Sequence, residues 1–174
     1  MIDHIPELVE AGIDSLKIEG RMKTQLYAAT TARTYRRAID DYFSDPLLYE
    51  QNLPLYRKEI AKCTYREFCT GFYFGRPGKE AQIYDASTYV KDYTFFGSVE
   101  SVDAEGYAHF VQKNKFSVGD RIEILKSDMT DVPVEVLSIR DELTGEEMMS
   151  CPHASQRIKV RLSEAPAVLD ILGG

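Results

Sequence analysis

The chain has 174 residues, 44% of them hydrophobic and 28% charged, with a net charge of −7. That length holds one ordinary domain, or a small domain with an appended fragment, and the composition excludes intrinsic disorder. No apolar run approaches a membrane span, and Met1-Ile2-Asp3-His4-Ile5-Pro6-Glu7 lacks the basic and then apolar order of a signal peptide. Three irregularly spaced cysteines, Cys63, Cys69 and Cys151, exclude a disulfide framework and point to a reducing, cytoplasmic compartment. Residues 1–80 carry 12 Lys+Arg against 12 Asp+Glu, whereas residues 81–174 carry 9 against 16. The acidic second half is on average a poor surface for phosphate.

In chain order, Pro6-Glu7-Leu8-Val9-Glu10-Ala11 predicts a short helix, with proline in its first turn and Gly12 beyond its end. Asp14-Ser15-Leu16-Lys17-Ile18-Glu19-Gly20-Arg21-Met22-Lys23-Thr24 predicts a strand at 15–19, a glycine turn and a helix opening. Leu16 and Ile18 fall on one face, Lys17 and Glu19 on the other. A strand feeding directly into a helix is one α/β repeat, and a charged strand face suits the C-terminal mouth of a closed (β/α) barrel. A single repeat implies the tail of a catalytic domain whose own N-terminal barrel is missing. Residues 14–20 would then leave a sheet edge, either disordered or paired with a second copy of the chain.

Thr24 is placed to cap a long helix running to about residue 43. Tyr27, Ala28, Thr31, Tyr35, Ala38, Ile39 and Tyr42 form its apolar stripe, with Arg33, Arg36, Arg37, Asp40 and Asp41 mostly on the other side. Ser44-Asp45-Pro46 ends it. Residues 46–68 show a broken helical pattern, with Leu55, Tyr56 and Ile60 inward and Arg57, Lys58 and Glu59 in water. Cys69-Thr70-Gly71-Phe72-Tyr73-Phe74-Gly75-Arg76-Pro77-Gly78 follows, an aromatic cluster expected to form an apolar plug. From residue 82 the period becomes two, with strands at 82–84, 94–102, 107–112, 121–125, 134–139, 146–150, 156–162 and 168–172. Turns at 104–106, 117–120 and 143–145 separate them. Many short strands predict a small closed antiparallel β-barrel. The fold class is therefore α+β. Residues 1–44 end a (β/α) barrel-like domain, 45–81 form a helical and aromatic connector, and 82–174 form a C-terminal β-barrel accessory domain.

Lys17, Glu19, Arg21 and Lys23 are the candidate catalytic residues, set where barrel loops cradle anionic groups, with Gly20 permitting close backbone approach. The competing reading is an ion-pair network that orders the barrel mouth. The cysteines and histidines lack zinc-finger spacing, so no metal or cofactor site is expected in this chain. His4 and His109 have no partner at a diagnostic spacing, and GxSxG, HExxH, P-loop and GxGxxG motifs are absent. Tyr93, Phe95, Phe96, Tyr107, Phe110 and Phe116 could stack on bases, but core filling is the expectation. Asn114–Asp120 is expected to shape a turn around Gly119, with Asp120 accepting a local hydrogen bond.

Several stretches resemble one family. Ile5-Pro6-Glu7-Leu8-Val9-Glu10-Ala11-Gly12-Ile13-Asp14-Ser15-Leu16-Lys17-Ile18-Glu19-Gly20-Arg21-Met22-Lys23 and Tyr35-Arg36-Arg37-Ala38-Ile39-Asp40 resemble the last βα unit of the peptidase U32 family, the collagenase-like proteases. Thr70-Gly71-Phe72-Tyr73-Phe74-Gly75 and Asn114-Lys115-Phe116-Ser117-Val118-Gly119-Asp120-Arg121-Ile122-Glu123-Ile124-Leu125 are similar to its connector and C-terminal β-domain motifs. The resemblance implies a parent with a larger N-terminal barrel domain. It leaves two activities open: proteolysis, or hydroxylation of tRNA at the wobble uridine, of ribosomal RNA or of ubiquinone, with an iron–sulfur cluster in the parent. The family's signature cysteines are absent from this chain, so the fragment is expected to be inactive alone. Its partners would be the missing barrel and either tRNA or a protein substrate, with no membrane. Cys63-Thr64-Tyr65-Arg66-Glu67-Phe68-Cys69 departs from the family's usual Ser-His-Arg approach, which leaves the branch open. The alternative is a β-barrel module that binds substrate or a partner without catalysis.

Overall fold

The computed structural model describes residues 1–63, 69–78 and 93–174. It divides into two compact units, Met1–Asp92 and Tyr93–Gly174. The predicted strand at 82–84 and residues 64–68 of the cysteine-flanked approach lie outside the described residues.

The first unit is helical. A 3-10 turn at Ile2–His4 leads into α1 (Ile5–Glu10), with Pro6 in its first turn. Gly12 closes α1 in the left-handed region at φ 73°, a conformation without penalty only for glycine. Residues 13–20 then run without a ladder partner, so the predicted strand at 15–19 is not formed. A strand exists only through inter-strand hydrogen bonds, and none of the described elements offers an edge here. α2 (Gln25–Ser44) opens as expected: the Thr24 hydroxyl accepts from the Tyr27 N–H at 3.3 Å. Asp45 both ends α2 and caps α3 (Pro46–Ala61), its carboxylate accepting from the Leu47 N–H at 2.9 Å with Pro46 at the first helical position. α3 continues through Pro54, so the broken pattern at 46–61 is one helix.

α2 and α3 bury polar groups against each other, which alters the expected faces. Leu26, Thr30, Thr31, Arg33, Thr34, Ala38 and Asp41 are the buried positions of α2. Arg33 and Asp41, expected in water, are inside, and so is Glu59 of α3. Ala28 is exposed, while Tyr27, Tyr35, Ile39 and Tyr42 are only half-buried. On α3, Tyr56 and Ile60 point inward as expected, but Leu55 is exposed. The reason is complementarity: Arg33 pairs with Glu59, and Asp41 accepts from Tyr56 and from Asn52. Buried charges are tolerated when paired, and removing one partner of such a pair costs about 3–5 kcal/mol. The expected aromatic plug is also absent: Phe72, Tyr73 and Phe74 are 78%, 69% and 60% exposed. Phe74 contacts the His4 ring with centroids 4.5 Å apart.

The second unit is an antiparallel sheet of β1 (Phe95–Ser98), β2 (Ser101–Val102), β3 (Ala108–Val111), β4 (Arg121–Leu125), β5 (Val132–Asp141), β6 (Glu147–Met148), β7 (Arg157–Leu162) and β8 (Ile171–Gly173). Its order is β1-β8-β4-β5-β7-β3-β2, with β6 on β5, and it forms a half-barrel. The predicted strand at 94–102 is interrupted at residues 99–100. Alternation puts Ile122 and Ile124 of β4, and Ile158, Val160 and Leu162 of β7, into the core beside Phe96, Phe110, Phe116 and Leu172. A register shift between Val136 and Ser138 changes the parity of β5, so that Val134, Val136 and Ile139 all point inward while Leu137 is exposed. Asp141 holds its turn by accepting from the Leu143 and Thr144 N–H groups at 2.9 and 2.8 Å. The expected turn at 117–120 forms in the same way, with the Ser117 N–H donating to Asp120 at 2.8 Å.

Gly97 is a close-approach glycine. A Cβ there would lie 2.4 Å from the Phe110 ring and 3.1 Å from the Val111 carbonyl oxygen. Its missing side chain lets β1 lie against the central aromatic of the core.

Candidate functional site

Lys17, Glu19, Arg21 and Lys23 lie together on the irregular segment between α1 and α2. The expected alternation survives without a ladder. Leu16 and Ile18 line a groove of about 650 Å³ with Ile5 and Leu8 of α1 and Ile39 and Phe43 of α2. Lys17 and Glu19 face solvent, 87% and 72% exposed, with Lys17 Nζ 4.0 Å from Glu19 Oε2. The Arg21 N–H donates to Glu19 Oε1 at 3.1 Å, closing a turn around Gly20, and Lys23 Nζ sits 5.7 Å from the centre of the Tyr27 ring. Exposed pairs at such distances contribute about 0–1 kcal/mol. The cluster is an exposed cationic rim around one carboxylate, beside an open apolar groove. It could hold an anionic group through its charges, but it contains no enclosed reaction chamber.

The most connected buried chemistry of this unit lies elsewhere, between α2 and α3. Glu59 pairs with Arg33 and stands 3.0 Å from Lys62. Burial pushes the Asp41 carboxyl up, but hydrogen bonds from Tyr56, Asn52 and Arg37, together with the Arg37 charge, outweigh it and hold the group below its usual range. Burial, then the bond to Asp41, pushes the Tyr56 phenol far up. These groups brace α2 and α3 against each other.

The second unit holds a network that spacing in the sequence does not reveal. His109 Nε2 is 3.1 Å from Asp103 and its Nδ1 is 3.1 Å from Glu142. Arg157 continues the chain, donating to Glu142 at 2.8 Å and to Glu100 at 2.9 Å. The Tyr107 N–H first, and His109 second, hold the Asp103 carboxyl low; His109 and then Arg157 do the same for Glu142. The partners of His109 are 6 and 33 residues away, so only the register of β3, β5 and β7 brings them together. No nucleophile is among the partners of His109, and the arrangement braces the β2–β3 and β5–β6 turns. Phe96, Phe110 and Phe116 fill the core as expected, whereas Phe95 and Tyr107 are buried outside that cluster, Tyr107 beneath Arg140 and Lys159, and Tyr93 is half-buried.

Cys63 and Cys151 are buried, and burial pushes both thiols up, away from the thiolate form. Cys69 is exposed. An iron–sulfur cluster is held chiefly by deprotonated cysteine thiolates gathered at one place. With three cysteines, two of them protonated core residues in different units, this chain's residues do not fit such a cluster. Among the described residues, no group of three or more His, Cys, Asp or Glu side chains could hold a metal ion. No helix among them is long and apolar enough to cross a membrane.

Comparison with known proteins is consistent along the whole chain. Residues 1–83 match the model of peptidase family U32, and residues 91–172 match that of the peptidase family U32 C-terminal domain. The chain is 34% identical to tRNA hydroxylation protein P1 of Bacillus subtilis over 94% of its own length and 39% of the relative's. It is 34% identical to tRNA hydroxylation protein P of Escherichia coli over 71% of its length and 27% of the relative's. A collagenase of Porphyromonas gingivalis is 28% identical, across 94% of this chain and 45% of the relative. The chain thus spans less than half the length of these curated relatives. A crystal structure of the C-terminal domain of a U32 peptidase from Geobacillus thermoleovorans aligns with a TM-score of 0.41 and 26% identity, over 45% of this chain and 89% of that one. With both of its halves matched by models of one family, the chain belongs to the peptidase U32 family.

Proposed function

We propose that this chain is the C-terminal part of a cytoplasmic U32 enzyme acting in hydroxylation of tRNA at the wobble uridine, and that it is inactive alone. The observation that carries the reading is the 34% identity to a tRNA hydroxylation protein over 94% of the chain, against 28% to a collagenase over the same share. In this reading Lys17, Glu19, Arg21 and Lys23 form one wall of the parent's site, which holds an anionic part of the substrate. The groove beside them receives the rest of the parent's barrel. In the isolated chain, a second copy can cover it instead.

The second unit serves as a closed barrel that presents substrate to the catalytic domain. Closure is supported by β1 and β2 being successive pieces of one stretch that pair at opposite ends of the sheet order. The Glu100 N–H donating to the His109 carbonyl at 2.9 Å, and the Lys113 N–H to the Phe96 carbonyl at 2.8 Å, support it further.

The test is a chimera. The N-terminal portion of the Bacillus subtilis relative, fused to this chain, is expressed in a strain lacking that relative, and tRNA nucleosides are analysed by mass spectrometry. Hydroxylated wobble uridine is expected from the chimera and not from this chain alone. A soluble chimera that cleaves denatured collagen and leaves the uridine unmodified would overturn the reading in favour of the peptidase.

A further inference from the structure

The β unit is acidic overall, with eight Lys+Arg against fourteen Asp+Glu in residues 93–174. Its cations are nevertheless gathered. Arg140 of β5 lies directly across the ladder from Lys159 of β7, and Arg161, two residues further along β7, lies across from Ser138. In β7 the core-facing positions are Ile158, Val160 and Leu162, so Lys159 and Arg161 share the outer face. At about 3.4 Å per residue along a strand and about 4.8 Å between strands, the three cations stand within one small patch. Among the described residues none of the three forms an ion pair, in contrast to Arg157, whose charge is already matched by Glu100 and Glu142.

The patch is held in place from below. The Tyr107 ring lies under both neighbours, 5.3 Å from the Arg140 guanidinium and 5.1 Å from Lys159 Nζ. Tyr107 is itself buried, and its hydroxyl oxygen accepts from Ser138 at 3.3 Å. A ring face attracts cations, so it restrains two long side chains that would otherwise lose rotamer entropy on meeting a ligand. The acidic groups around the patch are largely engaged: Asp103 and Glu142 with His109, Glu142 and Glu100 with Arg157, and Asp141 with its own turn and Gln156. Glu147, across from Arg140 on β6, is the carboxylate that borders the patch.

We propose that Arg140, Lys159 and Arg161 on the outer face of β5 and β7 form the surface through which the β unit grips the phosphate backbone of its RNA substrate. This rests on the tRNA reading above and adds to it the place of contact. Such contacts position a nucleic acid without reading its sequence, and each phosphate neutralised releases counterions. Three contacts to a single strand contribute about two to the slope of log affinity against log salt.

The experiment titrates the full chain with in vitro transcribed tRNA by fluorescence anisotropy at several salt concentrations. Two variants carry the same change in net charge: R140Q/K159Q/R161Q, and K113Q/K115Q/R121Q, which alters exposed cations off the patch. Circular dichroism checks that both fold. The expected result is that the patch variant binds more weakly with a slope shallower by about two, while the other variant stays near the parent chain. Equal losses in both variants would show a general charge effect and overturn the proposal. Unchanged binding by the patch variant overturns the surface and leaves the tRNA reading standing, since the chimera reads hydroxylation independently. Failure of the parent chain to bind tRNA at low salt, or binding of an acidic peptide at the patch in its place, overturns the surface as well.

Discussion

Replacing Gly97 by alanine tests whether the β unit is closed around Phe110. The added Cβ would sit 2.4 and 2.9 Å from two ring carbons and 3.1 Å from the Val111 carbonyl oxygen. Carbon contacts are comfortable near 3.5–4.0 Å, so the ring would have to retreat by roughly an ångström. It has nowhere to go: Phe110 is fully buried and stacks on Phe116 with centroids 6.3 Å apart, and Phe116 packs on Phe96 at 5.1 Å. Overpacking of this kind costs typically 1–3 kcal/mol. With ring and backbone both in the way, the upper end applies, about 3 kcal/mol. For a unit of this size each kcal/mol moves the melting temperature by about 4–8 °C, so the drop should be roughly 12–24 °C.

Thermal and urea unfolding of the full chain, followed by far-UV circular dichroism, reads this directly. Gly106→Ala is the control, because its Cβ meets open space and only the φ of 84° is strained; it should cost about 1 kcal/mol. Phe110→Leu combined with Gly97→Ala should recover part of the loss, giving a favourable coupling of about 1 kcal/mol or more. A melting temperature for Gly97→Ala equal to that of the parent chain, or strict additivity in the double variant, would refute the close approach of β1 to Phe110.

Three further outcomes follow from the helical unit. Arg33→Met should destabilise it by about 3 kcal/mol, the low end for a broken buried pair because Lys62 remains 3.0 Å from Glu59. Arg33→Met/Glu59→Met should recover only part of that in urea melts, because the buried Lys62 then loses Glu59, and a silent single substitution would discard the pair as a stabilising contact. The folded Asp41 carboxyl lies below its unfolded value, so its contribution is complete above about pH 4 and is lost as pH falls through the folded value. Tyr56 has the opposite sign: its folded value is raised, so its contribution is complete below about pH 10 and fades above it. Melting temperature against pH should therefore fall at both ends, with Asp41→Asn flattening the acid limb and Tyr56→Phe the alkaline one. Finally, Lys17→Met/Arg21→Met should leave stability within about 0.5 kcal/mol, since both side chains are exposed, yet lower wobble-uridine hydroxylation in the chimera. Full hydroxylation by that variant would remove these residues from the site.

The strands were legible in the sequence where one face is core and the other water. β4 and β7 follow the alternation of Ile122 and Ile124, and of Ile158, Val160 and Leu162, closely. The pattern was harder to read where parity breaks, as at the shift between Val136 and Ser138. The helix faces were harder still, because α2 and α3 bury charge on charge. Hydropathy places Arg33, Asp41 and Glu59 outside, and only the facing helix makes them inside residues. The same holds for His109, whose carboxylate partners become neighbours through strand register and not through spacing. The segment at 15–19 failed as a strand for a different reason: its alternation is present, but a ladder needs a second strand. Lys17, Glu19, Arg21 and Lys23 did come out as neighbours, because four close positions around a glycine turn stay together in almost any local conformation.

In the β unit, Thr94 and Gly174 bond to each other in both directions, N–H to carbonyl at 2.6 and 3.0 Å. Residues 94 and 174 of this unit therefore lie side by side, joined by two hydrogen bonds. A unit in which residues 94 and 174 meet in this way can be moved between host proteins by one recombination event without stretching its own backbone. Joining residues 94 and 174 by a short linker and opening the unit at the exposed residues 143–145 should likewise preserve the pairing order, which makes it a natural subject for circular permutation and grafting.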